Sequence, residues 1–182
     1  LHWRMEQQRI VARGELDILD AVIQRGETPW SDARIHVDWN SVAHLAEERP
    51  PEISAGDLVI TTSNQDRLEW HAQQTDEGLT WNGETHLKLA HLAHVFVDSD
   101  TVIEGTLDGT ANGITNGDSI QITEFEATVD RFLLRGPDMS IREPTIIFRG
   151  SGNIHSKHQQ VDLDQFEFTS TTFAFAGQKL RV

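Results

Sequence analysis

The chain has 182 residues and a formal net charge of −14, because 29 Asp and Glu outnumber 15 Lys and Arg. Such a charge repels phosphate backbones and anionic head groups, so we expect no nucleic-acid partner. Cysteine is absent, which excludes disulfides, thiolate zinc sites and thiol catalysis. No run approaches the roughly 20 consecutive apolar residues that a membrane-spanning helix needs.

Residues 1–100 are expected to form a β-rich region with one short helix near 41–48. From Ile10 to Ile18 apolar residues alternate as in a strand, although Leu16, Leu19, Val22 and Ile23 also fit a helical stripe. Gly14 and the β-branched pair Val22-Ile23 favour the strand.

The rest of this region contains several short apolar runs. The short helix would be capped by Ser41 and ended by Pro50. Strands are predicted over Ala33 to Trp39, Leu58 to Ile60, Leu68 to His71, Leu79 to Trp81 and Thr85 to Val97.

Residues 101–182 are predicted to be an antiparallel β-meander, continuous with the first region in one elongated segment. Val102 to Thr110 and Ser119 to Thr123 read as a hairpin whose turn lies in the Asn- and Gly-rich residues 112–118. Further strands follow to residue 177, with Arg135-Gly136-Pro137-Asp138 as a turn.

The apolar series of this meander changes parity at three points. Ile122 is followed by Phe125, Val129 by Phe132, and Leu163 by Phe166. Because strand side chains alternate with a period of two, each change predicts a β-bulge or a bend.

The predicted fold is therefore mainly β: a twisted, curled open sheet, or alternatively a sandwich, with one short helix. In either fold we expect one set of apolar side chains to face one way. This candidate set is Leu107, Ile120, Ile122, Val129, Phe132, Leu134, Ile146, Phe148, Leu163, Phe166, Phe168, Phe173 and Phe175.

No catalytic motif is present, and we expect no enzyme activity and no cofactor. His86, His91 and His94 fall within nine residues but match no zinc spacing, so we expect surface histidines and no metal site. Four tryptophans, at positions 30, 39, 70 and 81, leave open a sugar-stacking platform, although core packing or rim anchoring is the more frequent role of tryptophans so far apart.

Residues 101–182 also carry a family resemblance. Glu104-Gly105-Thr106-Leu107-Asp108-Gly109-Thr110-Ala111 is followed by a strand over residues 127–134, a corner at 135–137, Glu143-Pro144 and a closing run of phenylalanines. This pattern resembles the AsmA-like superfamily, which includes TamB-type proteins and shares its folded-sheet architecture with the lipopolysaccharide-bridge proteins.

The resemblance implies a non-enzymatic, periplasmic segment for lipid transfer or outer-membrane assembly, in which the apolar face holds acyl chains. It implies a phospholipid or other acyl lipid and adjacent segments of a longer parent chain as partners. Membrane contact and anchoring would then occur only through parts outside this sequence, upstream of Leu1. The alternative is a structural or glycan-binding β-sandwich module of a secreted protein.

Overall fold

A computed structural model describes residues 2–6, 9–25, 28–44, 52–91, 101–117, 119–155 and 160–181. They form one 11-stranded sheet in which every strand pairs antiparallel with its neighbours in sequence, so the predicted meander is confirmed. The strands are β1 (His2–Glu6), β2 (Arg9–Arg25), β3 (Thr28–His44), β4 (Glu52–Thr62), β5 (Arg67–Thr75), β6 (Gly78–Lys88), β7 (Val102–Asn116), β8 (Ser119–Arg135), β9 (Ser140–His155), β10 (Gln160–Ser170) and β11 (Ala174–Arg181).

Several boundaries differ from the sequence prediction, and the strands predicted over Leu79 to Trp81 and from Thr85 are one strand, β6. Residues 41–44 are the end of β3, where Ser41 pairs with Ala12 and Gly56, so no helix starts there; residues 45–48 lie outside the described residues. The hydrogen bonds of residues 41–44 to a strand on each side stabilise the extended conformation more than a Ser41 N-cap would stabilise a helix. A short helix instead follows β6 and is described for residues 89–91, so the strand expected from Thr85 ends at Lys88. Residues 92–97 lie outside the described part.

The β7–β8 hairpin is longer than predicted. Its strands pair as far as Asn116 and Ser119, so most of the expected turn at 112–118 is strand. Gly113 fits inside this strand because the Trp81 ring occupies the space over its Cα where a side chain would lie. Glycine therefore marks close packing here rather than a turn.

The three predicted changes of parity are register irregularities. In β8 one extra residue lies between Ile122 and Phe125 and another lies opposite the β7 segment Glu104–Thr106. At the second of these Arg131 has a φ of 54°, a left-handed conformation. In β10 the irregularity lies between Leu163 and Gln165. Each bulge keeps the apolar series of its strand on one face.

The sheet is a single layer that exposes an unusually large surface. Its accessible area is 12544 Å², whereas a compact protein of this mass exposes about 8,800 Å². Among the described residues only Val42, Ala72, Val129 and Ile146 are buried apolar residues, and no large side chain is completely buried. Pairing between strands, rather than a closed core, holds the fold together.

The meander gives the sheet two margins with different turns. We call the margin with the connections after β2, β4, β6, β8 and β10 margin A, and the one with the connections after β1, β3, β5, β7 and β9 margin B. β1 and β11 are the edge strands. Since β1 pairs only with residues 9–13 of β2, the remainder of β2 has an open edge.

Candidate functional site: the apolar face of the sheet

The register places the candidate apolar residues on one face, because residues directly opposite each other on paired strands point the same way. Leu107 lies opposite Val129, and Val129 lies opposite Ile146. Phe148 lies opposite Phe168, which lies opposite Phe175. The strand residues on this apolar face are Leu107, Ile120, Ile122, Val129, Phe132, Leu134, Ile146, Phe148, Leu163, Phe166, Phe168 and Phe175.

The last candidate, Phe173, lies in the turn before β11 and packs on the same face. Its ring stacks on Phe168 with a centroid distance of 5.1 Å. Phe168 also stacks on Phe175 at 5.1 Å and meets Phe148 edge to face at 4.7 Å. These four rings form an aromatic cluster near margin A at the β11 end of the sheet.

The apolar face continues through the N-terminal half, which the sequence prediction did not include. One row of opposite residues runs across ten strands, from β11 to β2: Phe175, Phe168, Phe148, Ala127, Gly109, Thr85, Leu68, Ile60, Val37 and Leu16. The apolar face is therefore one continuous surface from β2 to β11. The alternation from Ile10 to Ile18 and from Ile35 to Trp39 is the sequence signal for its far end.

A second row combines aromatic residues with glycines. Its members, from β2 to β11, are Gly14, Trp39, Leu58, Trp70, Gly83, Ala111, Phe125, Gly150, Phe166 and Gly177. A Cβ on Gly150 would lie 2.7 Å from the Phe125 ring, and one on Gly14 or Gly177 would overlap the neighbouring ring. The rings thus lie flat across glycines of the adjacent strand, which gives this row a low, smooth surface.

Three tryptophans of the proposed sugar platform belong to this face. Trp39 and Trp70 lie in the row of rings and glycines, and Trp81 lies opposite Gly113 in the next row. The Trp81 indole N–H donates to Thr115 Oγ1 at 3.2 Å. The side chain of Trp30 lies outside the described residues. The three rings are therefore packed against the backbone of the sheet on its apolar face.

The opposite, polar face is crossed by pairs of histidine and aspartate. His36 lies between Asp17 and Asp38, at 2.9 and 3.0 Å. His71 bonds Asp57 at 2.8 Å on the neighbouring strand. The Asp17 and Asp38 hydrogen bonds raise the pKa of His36, and hydrogen bonds from Arg34 and His36 lower the pKa of Asp17.

The clustered histidines do not form one site. His86 bonds Asp108 at 2.6 Å on the polar face, and His91 bonds Asp66 at 2.8 Å beside the helix. His94 lies outside the described residues. Within the described ranges, no group of three or more His, Asp or Glu side chains is placed to hold a metal ion.

Three buried carboxylates, which the sequence prediction missed, fix margin A: Asp32, Asp66 and Glu143. Asp32 accepts hydrogen bonds from the backbone N–H groups of Arg34 and Ser63. Burial alone would raise the pKa of Asp32, but these bonds hold it below its usual range.

The other two carboxylates tie neighbouring turns to the sheet. Asp66 accepts from the Lys88 backbone N–H at 2.8 Å and bonds His91. Glu143 accepts from the hydroxyls of Thr171 and Thr172 in the turn before β11, and these bonds lower its pKa. Each carboxylate therefore anchors a connection that is distant in sequence.

The depressions found among the described residues are lined largely by polar side chains. One of about 630 Å³ is bordered by Arg13, Glu15, Asp38 and Asp57. Another of about 600 Å³ contains Glu124, Arg149 and Glu167. Both depressions are shallow, and their charged side chains belong to the polar face. The continuous apolar surface lies on the opposite face of the sheet.

Comparison with protein-family models, with curated proteins and with solved structures finds no match to this chain. In the described part of the chain, no helix has the length and apolar character needed to cross a membrane.

Proposed function

We propose that this protein binds lipid acyl chains along the apolar face of its sheet and serves, without catalysis, as a lipid-transfer or outer-membrane assembly segment. The observation that carries the proposal is the apolar face, which runs from Leu16 on β2 to Phe175 on β11 and is not covered by a second layer of the described residues. Each Å² of exposed apolar area that a ligand covers contributes about 25 cal/mol of favourable binding free energy. Acyl chains gain this energy without directional contacts.

The length of the face favours a path over a single binding pocket. Nine spacings of about 4.8 Å between the ten strands β2 to β11 make it about 43 Å long. A bilayer core of about 30 Å contains two leaflets, so one acyl chain extends about 15 Å. The face is therefore long enough for more than one chain in line.

The open edges of the sheet favour pairing with β-strands of adjacent segments. β11 and most of β2 have an open edge, and exposed apolar side chains lie there, with Leu16 on β2 and Phe175 and Leu180 on β11. Open edges pair readily with further strands. We propose that adjacent segments of a longer parent chain continue the sheet in the periplasm, which remains the location that the family resemblance implies.

The rival function, a glycan-binding sandwich, fits less well. A sandwich needs a second sheet against the apolar face, whereas the described strands form one sheet. A sugar site also needs polar side chains beside its rings, whereas Trp39 and Trp70 share their row with Gly14, Leu58 and Gly83.

Photo-crosslinking with matched positions tests the proposal. A photo-reactive amino acid replaces Phe132 or Phe148 on the apolar face, and its neighbours Leu133 or Ile147, apolar residues of the opposite face, serve as controls. After extraction from a lipid-containing lysate, native mass spectrometry should detect lipid adducts at Phe132 and Phe148 only. Absence of adducts at both positions, or equal adducts at the controls, would refute acyl binding on this face.

A further inference from the structure

The exposed apolar side chains of the sheet are distributed unequally between its two margins. Away from β2, the large apolar residues that are exposed lie within two residues of a margin A connection, except Leu180. They are Leu68, Val102, Met139, Ile141, Phe173 and Phe175. At margin B, by contrast, the apolar residues Leu79, Ile120, Ile154 and Val161 are half-buried.

Two of these residues lie in the connections near the β11 end. Met139 and Phe173 are each 49 % exposed, and both lie in turns rather than in strands. The first turn is closed by a hydrogen bond from the Gly136 N–H to the Met139 carbonyl at 2.9 Å, and the second by one from Ser170 N–H to the Phe173 carbonyl at 2.8 Å. Ordered turns thus place two half-exposed apolar side chains at the same margin, one of which, Phe173, also stacks on Phe168.

Two arginines without partners lie at the same margin, on the polar face of the sheet. Arg135 lies opposite Val102 and Ser140, and Arg142 lies opposite Leu133. Neither arginine has a hydrogen-bond or ion-pair partner among the described residues, whereas Arg34 and Arg149 are each paired with a carboxylate. Exposed guanidinium groups and exposed apolar side chains at one margin match the phosphate and hydrocarbon of a phospholipid layer.

We propose that margin A, around the turns that hold Met139 and Phe173, docks on the surface of a phospholipid bilayer. The phosphate is the recognised group, so a zwitterionic bilayer suffices. Glu104 and Asp138 lie at the same corner and are exposed, which makes this corner nearly neutral and its binding only weakly dependent on salt. This docking differs from the expectation that membrane contact lies wholly outside the sequence, and it does not rest on acyl binding by the apolar face.

Vesicle binding can be tested at single, matched positions, because the chain contains no native cysteine. Met139→Cys at margin A and Asp76→Cys at margin B are each labelled with an environment-sensitive fluorophore and mixed with phosphatidylcholine vesicles. The label at position 139 should brighten and shift to the blue, and the label at position 76 should not change. An equal response at both positions, or none at either, overturns the proposal.

Co-sedimentation with the same vesicles measures the energetics. Met139→Ser should lower the partition coefficient about tenfold, since it removes most of one exposed apolar side chain that the bilayer would cover. Leu180→Ser, which removes an exposed apolar side chain at the opposite end of β11, should change it less than twofold. A larger loss with Leu180→Ser than with Met139→Ser contradicts docking through margin A.

The outcome is independent of the acyl-binding experiment. If Phe148 forms lipid adducts while vesicles are not bound, docking through margin A is wrong and the proposed function stands. If vesicles bind through position 139 while Phe132 and Phe148 form no adducts, docking stands and the proposed function is wrong.

Discussion

Truncation of Phe168 to alanine tests whether the aromatic cluster stabilises the sheet. Phe168 touches Phe148, Phe173 and Phe175, with centroid distances of 4.7, 5.1 and 5.1 Å. Each aromatic pair contributes about 1 kcal/mol beyond the burial of area. Loss of the three pairs, with partial loss of apolar burial, should lower the free energy of unfolding by about 3 to 4 kcal/mol.

Equilibrium unfolding in urea measures this change from the midpoint at constant slope. Phe175→Ala, which breaks the contacts to Phe166 and Phe168, should cost less, about 2 kcal/mol. Leu19→Ala is the control, because Leu19 is 68 % exposed and should change stability by less than about 0.5 kcal/mol. A cost below about 1 kcal/mol for Phe168→Ala would show that the rings do not pack as described.

Three further changes probe other parts of the sheet. Asp66→Ala leaves the Lys88 N–H unpaired and should cost about 2 to 3 kcal/mol in urea unfolding, whereas a cost near zero contradicts its role as an anchor. Gly177→Ala should cost about 1 to 3 kcal/mol because the methyl group displaces the Phe166 ring; an unchanged midpoint would contradict this packing. The pKa of His36 is raised in the folded protein, so its stabilising contribution is complete below the unfolded pKa of about 6.5 and is lost as pH rises through the folded pKa. The difference in urea midpoint between the wild type and His36→Gln should therefore shrink from pH 6 to pH 8, and a difference that grows over this range contradicts the pairing.

Local patterns were sufficient to predict the meander and three of its bulges, but not the irregularity between β3 and β4 at Val42. The parity changes after Ile122, Val129 and Leu163 each mark a register irregularity. A bulge inserts one residue, so it must shift the apolar series between odd and even positions, and this shift is visible in the sequence alone.

Features that depend on contacts between distant residues were not predicted. Asp32 is one acidic residue among 29 in sequence, and only the fold brings the Ser63 N–H to it. The short helix after Lys88 falls in the segment Thr85 to Val97, which the sequence predicts to be a strand because a short apolar run does not distinguish the two periods. Glycines such as Gly113 were assigned to turns, since nothing local reveals that the ring of Trp81 covers them.

The central claim is that acyl chains lie against the apolar face, and quenching of a tryptophan of that face tests it most directly. A variant that retains Trp70 as its only tryptophan is titrated with a phospholipid carrying brominated acyl chains, and with its unbrominated form as the control. Trp70 lies opposite Gly83 on the apolar face, so bromine atoms of a bound chain reach it. Strong quenching by the brominated lipid alone is the predicted result; equal fluorescence with both lipids would contradict the account.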